Sequence, residues 1–128
     1  LALLFASFLH ACSGDKKKQA CDWIGYGPAC GWHDCPEGYT EIARERYAGS
    51  AFAGFGNYCT SGHKTLCCMN EALIADPKQH CHLSNVSCTS KQMHLYTQIN
   101  LVQTEKSARI AYRNMCCDAD VLDLVNYR

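Results

Sequence analysis

No glycine occurs after Gly62, and only three prolines interrupt the 128 residues. The second part therefore lacks the residues that most readily make irregular turns. Regular structure is expected there, and a turn-rich framework before it. Net charge is missing too. The 12 basic and 12 acidic residues cancel, six of each sign in residues 15–68 and six of each in residues 69–128. Nucleic-acid binders usually carry a basic surplus, so no nucleic-acid partner is expected. The single charge run, Lys16-Lys17-Lys18, reads as a solvated spacer, with a weak tether to anionic surfaces as the alternative. Residues Leu1–Ala11 are too short an apolar run to span a bilayer and no other run is long enough, so no transmembrane segment is expected. Closely spaced Cys-x2-Cys arms are absent, which argues against a zinc site. No serine- or cysteine-protease motif is present.

What the chain does have is cysteine, 11 in all. Residues Leu1–Ala11 have the length and apolarity of a signal-peptide core, with cleavage expected near Ser13 or Gly14. No Met or basic leader precedes them, so residues 1–14 read as a signal peptide truncated at its start. The alternative is a bacterial lipobox, Leu9-His10-Ala11-Cys12, with Cys12 lipidated and the protein anchored through it. Either way Cys12 leaves the count. Ten remain: Cys21, Cys30, Cys35, Cys59, Cys67, Cys68, Cys81, Cys88, Cys116 and Cys117. An even set in an exported chain predicts disulfides and a secreted, extracellular protein. A domain this small buries limited apolar surface, and each cross-link adds about 2–4 kcal/mol by restricting the unfolded chain.

The adjacent cysteines constrain the pairing. Neighbouring alpha carbons stand about 3.8 Å apart, inside the roughly 4.4 Å lower edge of ordinary disulfides. Neither Cys67–Cys68 nor Cys116–Cys117 is therefore expected to bond to itself. Successive strand residues point to opposite faces, so each pair should reach two partners. Cys67 and Cys68 are expected to return to Cys21, Cys30, Cys35 or Cys59, and Cys116 and Cys117 to Cys81 and Cys88.

The expected fold is small, disulfide-rich and mainly β: two stapled antiparallel ribbons with a short C-terminal helix. Residues 15–20 form a polar spacer, 21–69 a cysteine-rich module and 70–128 a second stapled β subdomain. Strands are expected over Tyr39–Tyr47 and Lys64–Met69 as an antiparallel pair. Between them Ala48–Asn57 reads as a mobile loop, with Phe52 and Phe55 either packing it down or exposed as contact residues. Asn70–Ala75 suits a helical turn stopped by Pro77. Met93, Leu95, Ile99 and Leu101 alternate with polar residues as a half-buried strand. Thr104–Ser107 turns the chain into a return strand through Ile110 and Tyr112. Val121, Leu122, Leu124 and Val125 fit one helical face, with Asp118 as N-cap. Asn85-Val86-Ser87 is a glycosylation sequon.

The pattern Cys21-x-Trp23-x-Gly25-x-x-Pro28-x-Cys30-x4-Cys35-Pro36-x-Gly38, closed by Cys59-x-Ser61-Gly62-x-Lys64-x-Leu66-Cys67-Cys68, resembles a small secreted cysteine-rich module of nematode, fungal and other eukaryotic extracellular proteins. The resemblance covers about 48 residues. It implies an extracellular, stapled fold and no particular activity. At Trp32-His33-Asp34 the chain departs from it.

That departure supplies the one enzyme-like signal. Cys30-Gly-Trp-His33-Asp34-Cys35 resembles the Cys-x-x-His-Asp-Cys core of secreted phospholipases A2, and Tyr26-Gly27-x-x-Cys30-Gly31 resembles their calcium loop. The likeness implies His33 as base and Asp34 as calcium ligand. Against it, loop and His-Asp pair share one cysteine and cannot converge as separate segments. Pro36 and Gly38 also break the helix such a pair needs.

His80-Cys81-His82 would place two imidazoles on one side of an extended chain, but oxidised cysteines are not ligands and a surface pair is the simpler reading. No metal and no cofactor are expected. Trp23, Tyr26 and Trp32 sit in a turn-rich stretch with little room for a deep core. They read either as cover over the disulfides or as an aromatic platform for an extracellular protein or carbohydrate. The leading expectation is a secreted, non-enzymatic interaction or defence module. The alternatives are a calcium-dependent lipid hydrolase using His33 and Asp34, or a purely structural, toxin-like peptide.

Overall fold

A computed structural model describes residues 17–50 and 52–128. The leader, Cys12 and the start of the spacer lie outside them. Two antiparallel sheets and five disulfides make up the fold. Strand β1 (Cys21–Ile24), β2 (Tyr39–Glu45) and β4 (Lys64–Met69) form one sheet in the order β1-β4-β2. Strand β3 (Ala48–Ser50), β5 (Cys81–Ser84), β6 (Gln92–Gln103) and β7 (Ala108–Asp118) form the other, in the order β3-β6-β7-β5. Sheets of three and four strands thus stand where two-stranded ribbons were expected.

The two cysteine sets build the same object twice. Each vicinal pair lies on a central strand, β4 or β7. Cys21 faces Cys68 across β1–β4 and is bonded to it; Cys81 faces Cys117 across β5–β7 and is bonded to it. The alpha carbons are 4.0 Å apart in both. The other member of each pair points to the opposite face and reaches a loop cysteine: Cys35–Cys67 at 5.6 Å and Cys88–Cys116 at 5.5 Å. Immediately after the loop cysteine comes the same turn, with Tyr39 N donating to Pro36 O and Gln92 N donating to Thr89 O, both at 3.1 Å. The third strand then pairs on the far side and carries a one-residue bulge at the same place. Ile42 is skipped between Glu41↔Cys67 and Ala43↔Leu66; Leu95 is skipped between His94↔Cys116 and Tyr96↔Met115. Only Cys30–Cys59 has no counterpart.

The duplicated units meet through equivalent residues. Leu73 and Leu122, each five residues past its closing cysteine, pair antiparallel with each other. Ile74 N donates to Val121 O and Asp123 N to Ala72 O, each at 2.8 Å. Equivalent residues pairing with one another define an approximate twofold axis. Ala72, Val121 and Leu122 are buried at this seam. The core continues across it, joining Leu66 and Cys68 of one unit to Leu95, Tyr96 and Cys117 of the other. Among the described residues no disulfide crosses it.

Several local expectations change. The C-terminal helix is not formed: residues after Asp118 make turns and isolated bridges. Val121–Asp123 gives its backbone to Ala72–Ile74, so Val121 and Leu122 are buried while Leu124 and Val125 face outward. Asp118 accepts from His80 Nδ1 at 3.0 Å instead of capping a helix. Among the described residues one short α-helix forms, α1 (Pro77–His80), and it begins at Pro77, with Asp76 accepting from Lys78 N. Pro77 starts it because proline suits the first helical position, where no N–H is needed. The expected turn shrinks to a 3-10 turn over Asn70–Ala72. The end of the spacer is tied down: Lys18 bridges Tyr127, and Ala20 is buried.

Candidate functional site

The Gly/Phe-rich segment after β3 folds back over β1 and the start of β4. Phe55 is buried and packs edge-on against Trp23, with ring centroids 4.8 Å apart. Trp23 also meets Tyr96 edge-on at 5.2 Å. Phe52 is half-buried against the main core. Both phenylalanines therefore pack the segment down. Cys30–Cys59 fastens its base, next to Phe55.

Between this segment and β1 lies a hollow of about 330 Å³. Trp23, Tyr26, Phe55, Asn57 and Lys64 line it, with Gly25, Gly27, Gly54 and Gly56 supplying bare backbone. Of the three aromatic residues singled out from the sequence, Trp23 and Tyr26 meet here. Trp23 is half-buried in the wall, whereas Tyr26 is 88% exposed. Trp32 is not in the lining. It is exposed and sets its ring edge-on to His63, 4.4 Å away.

Lys64 is the residue that sequence reasoning missed as a site candidate. It opens β4 and is buried. Its ammonium donates to Phe55 O and sits 4.5 Å from the Phe55 ring centroid, a cation–π arrangement. Burial holds the lysine below its ordinary range, since desolvation disfavours the charged form. The indole Nε1 of Trp23 is buried without a hydrogen-bond partner. A lysine heading an otherwise apolar, cysteine-bearing strand was the available signal.

The enzyme-like residues are placed differently. His33 and Asp34 lie in chain without regular structure, not on a helix. His33 O accepts from Thr65 Oγ1 at 2.6 Å. Asp34 is exposed and ion-paired to Arg44 at 3.0 Å, and Arg44 also holds Glu41 at 2.7 Å. Nearby His63 is buried with Nε2 unpaired. Desolvation first, then the charge of Arg44, pushes its pKa down, which favours the neutral ring.

No cluster of three or more His, Cys, Asp or Glu side chains that could hold a metal occurs among the described residues. His80 ends α1 while His82 lies on β5, so the two do not share an extended strand. Instead His82 and His94 flank Cys116 from either side of β7. Asn85 is exposed in the loop after β5.

A second surface feature escaped the sequence pattern. Beyond the bulge at Leu95, Ile99 pairs with Tyr112 and Leu101 with Ile110 on one face of the β6–β7 hairpin. Tyr47, whose carbonyl accepts from Ile99 N, extends the row and stacks on Tyr58 at 5.3 Å. Leu101, Ile110, Tyr112 and Tyr58 are all more than half exposed. The alternating pattern would have turned Leu101 inward. The extra residue at Leu95 reverses the phase, burying Tyr96 and exposing Leu101.

With this geometry in view, known proteins add nothing. No family model, curated protein or solved structure matches the chain.

Proposed function

We propose that the protein is a secreted, non-enzymatic binding module that recognises an extracellular carbohydrate or protein through the hollow beside Trp23 and Tyr26. One observation carries the reading. Tyr26 stands 88% exposed at a concave, aromatic-walled site that Cys30–Cys59 and Phe55 hold in shape. A large aromatic ring kept in water beside a preformed hollow is a contact residue in waiting. Five disulfides and the absence, among the described residues, of a helix long and apolar enough to cross a membrane are compatible with an extracellular setting. The engagement of Asp34 by Arg44 supports a structural role for that carboxylate, in preference to a calcium ligand. Export through residues 1–14 and glycosylation at Asn85 belong to the same proposal.

The test is capture of the oxidised protein on immobilised glycans and extracellular-matrix proteins. Tyr26→Ala should lose the retention while Trp32→Ala keeps it. Retention by no component, or by Tyr26→Ala as well as by the parent, refutes the reading. Calcium-dependent release of fatty acid from phospholipid vesicles, lost in His33→Gln, would replace it with the hydrolase.

A further inference from the structure

We propose that the hollow is specific for an acidic sugar: Lys64 receives the ligand carboxylate while Tyr26 packs on the apolar face of the sugar ring. This rests on the hollow being the binding site. The argument begins with an imbalance of charge. Lys64 is 4% exposed, and lysines so buried are normally paired with a carboxylate. Among the described residues no acidic side chain pairs with it. Glu45 lies directly across the strands from Lys64, yet its carboxylate is taken by Tyr96 Oη at 2.7 Å and Gln98 Nε2 at 3.0 Å.

The imbalance is also one of hydrogen bonds. An ammonium has three donors, and Phe55 O takes one of those on Lys64. The wall thus offers a positive charge and unused donors, and it lacks a negative acceptor. A single ligand carboxylate meets both needs, and one lysine suits a monoanion better than a dianion.

Access is provided by missing side chains. A Cβ at Gly56 would stand 3.3 Å from Lys64 Nζ, so glycine leaves the ammonium approachable from the hollow. The volume of about 330 Å³ is enough for one hexose ring. Tyr26 at the mouth offers a flat apolar surface to the C–H face of such a ring.

Methyl β-D-glucuronide and methyl β-D-glucoside differ only in the carboxylate. Both would be titrated into oxidised protein carrying Trp32→Phe, so that the fluorescence reports Trp23 alone. The glucuronide should bind about tenfold or more tightly than the glucoside. Lys64→Gln should erase the preference, and Tyr26→Ala should weaken both sugars.

Equal affinities in the parent overturn the role of Lys64 while leaving a sugar site. That comparison needs no folded Lys64 variant. N-acetyl-Gly-Phe with its free carboxylate is the third probe; tighter binding than the glucuronide would assign the site to a protein chain end and overturn the sugar. Saturation by none of the three overturns the inference. If Tyr26→Ala still abolishes surface capture in that case, the binding module survives.

Discussion

Replacing Leu122 with alanine tests the seam between the two units. Leu122 is 4% exposed, whereas Leu124, on the same face of the helix expected there, is 42% exposed. Truncating a buried leucine to alanine costs about 2–5 kcal/mol, the higher values where the neighbours cannot collapse into the space. The seam lies near the chain end and can relax, so about 2–3 kcal/mol is expected for Leu122→Ala. Leu124→Ala removes side-chain atoms that already touch water and should cost less than about 1 kcal/mol. Denaturant unfolding without reductant, followed by circular dichroism, measures both, provided the slopes agree between variants. Because Leu73 faces Leu122, a double-mutant cycle should also show coupling of at least about 0.5 kcal/mol. Equal losses at Leu122 and Leu124, with no coupling to Leu73, would refute the seam and restore a C-terminal helix.

Other outcomes follow from single contacts. Burial, then the bond to Glu45, raises the pKa of Tyr96 far above the ordinary phenol range. A raised phenol pKa gives stability that is complete below the unfolded value of about 10 and is lost as pH climbs toward the folded value. Tyr96→Phe should therefore flatten the alkaline limb of stability against pH and cost about 1–3 kcal/mol at neutral pH; an unchanged limb would show that Tyr96 is not the group. Gly62→Ala should fold poorly, since φ is +69° and the added methyl would sit 2.2 Å from Gly31 O. A loss of more than about 2 kcal/mol, or a low yield of correctly oxidised protein, is expected; wild-type stability would refute the packing. Ile110→Glu should change stability by no more than about 0.5 kcal/mol and reduce binding of a hydrophobic dye; a large loss of stability would mean the face is covered.

Much of the fold was legible where chemistry is local. Strand β4 spans Lys64–Met69 as expected, because a closing Cys-Cys in an apolar run marks a central strand. Phe52 and Phe55 were readable as anchors because large rings among glycines have few other uses. The vicinal cysteines were readable as reaching two partners each, and the structure arranges both pairs in the same register. The repeat was hidden because its equivalent positions share little besides cysteine: Glu41 matches His94, Ala43 matches Tyr96, Leu66 matches Met115.

What failed, failed for lack of long-range information. A bulge at Leu95 cannot be seen in a period of two, yet it decides which face of β6 is wet. Val121–Val125 has a helical pattern, but Ala72–Ile74 offers it backbone partners 49 residues away. In the candidate site, Trp23 and Tyr26 were visible as aromatics in a turn-rich stretch. Lys64 became visible only once its missing carboxylate could be noticed.

The approximate twofold axis has a consequence for how such a chain can vary. Had the two units been separate chains, they would need to find each other in solution, and their folding would depend on concentration. Joining them in one chain makes that encounter intramolecular, at an effective concentration set by the short segment between Asp76 and Cys81. The seam joins the units through a short buried edge, Ala72–Ile74 against Val121–Asp123, together with the pairing of β3 on β6 and the shared core around Tyr96. Everything distant from it is released from matching its twin. One copy has used that liberty to grow a glycine-walled hollow under its own extra disulfide, and the other to extend a long hairpin with an apolar face.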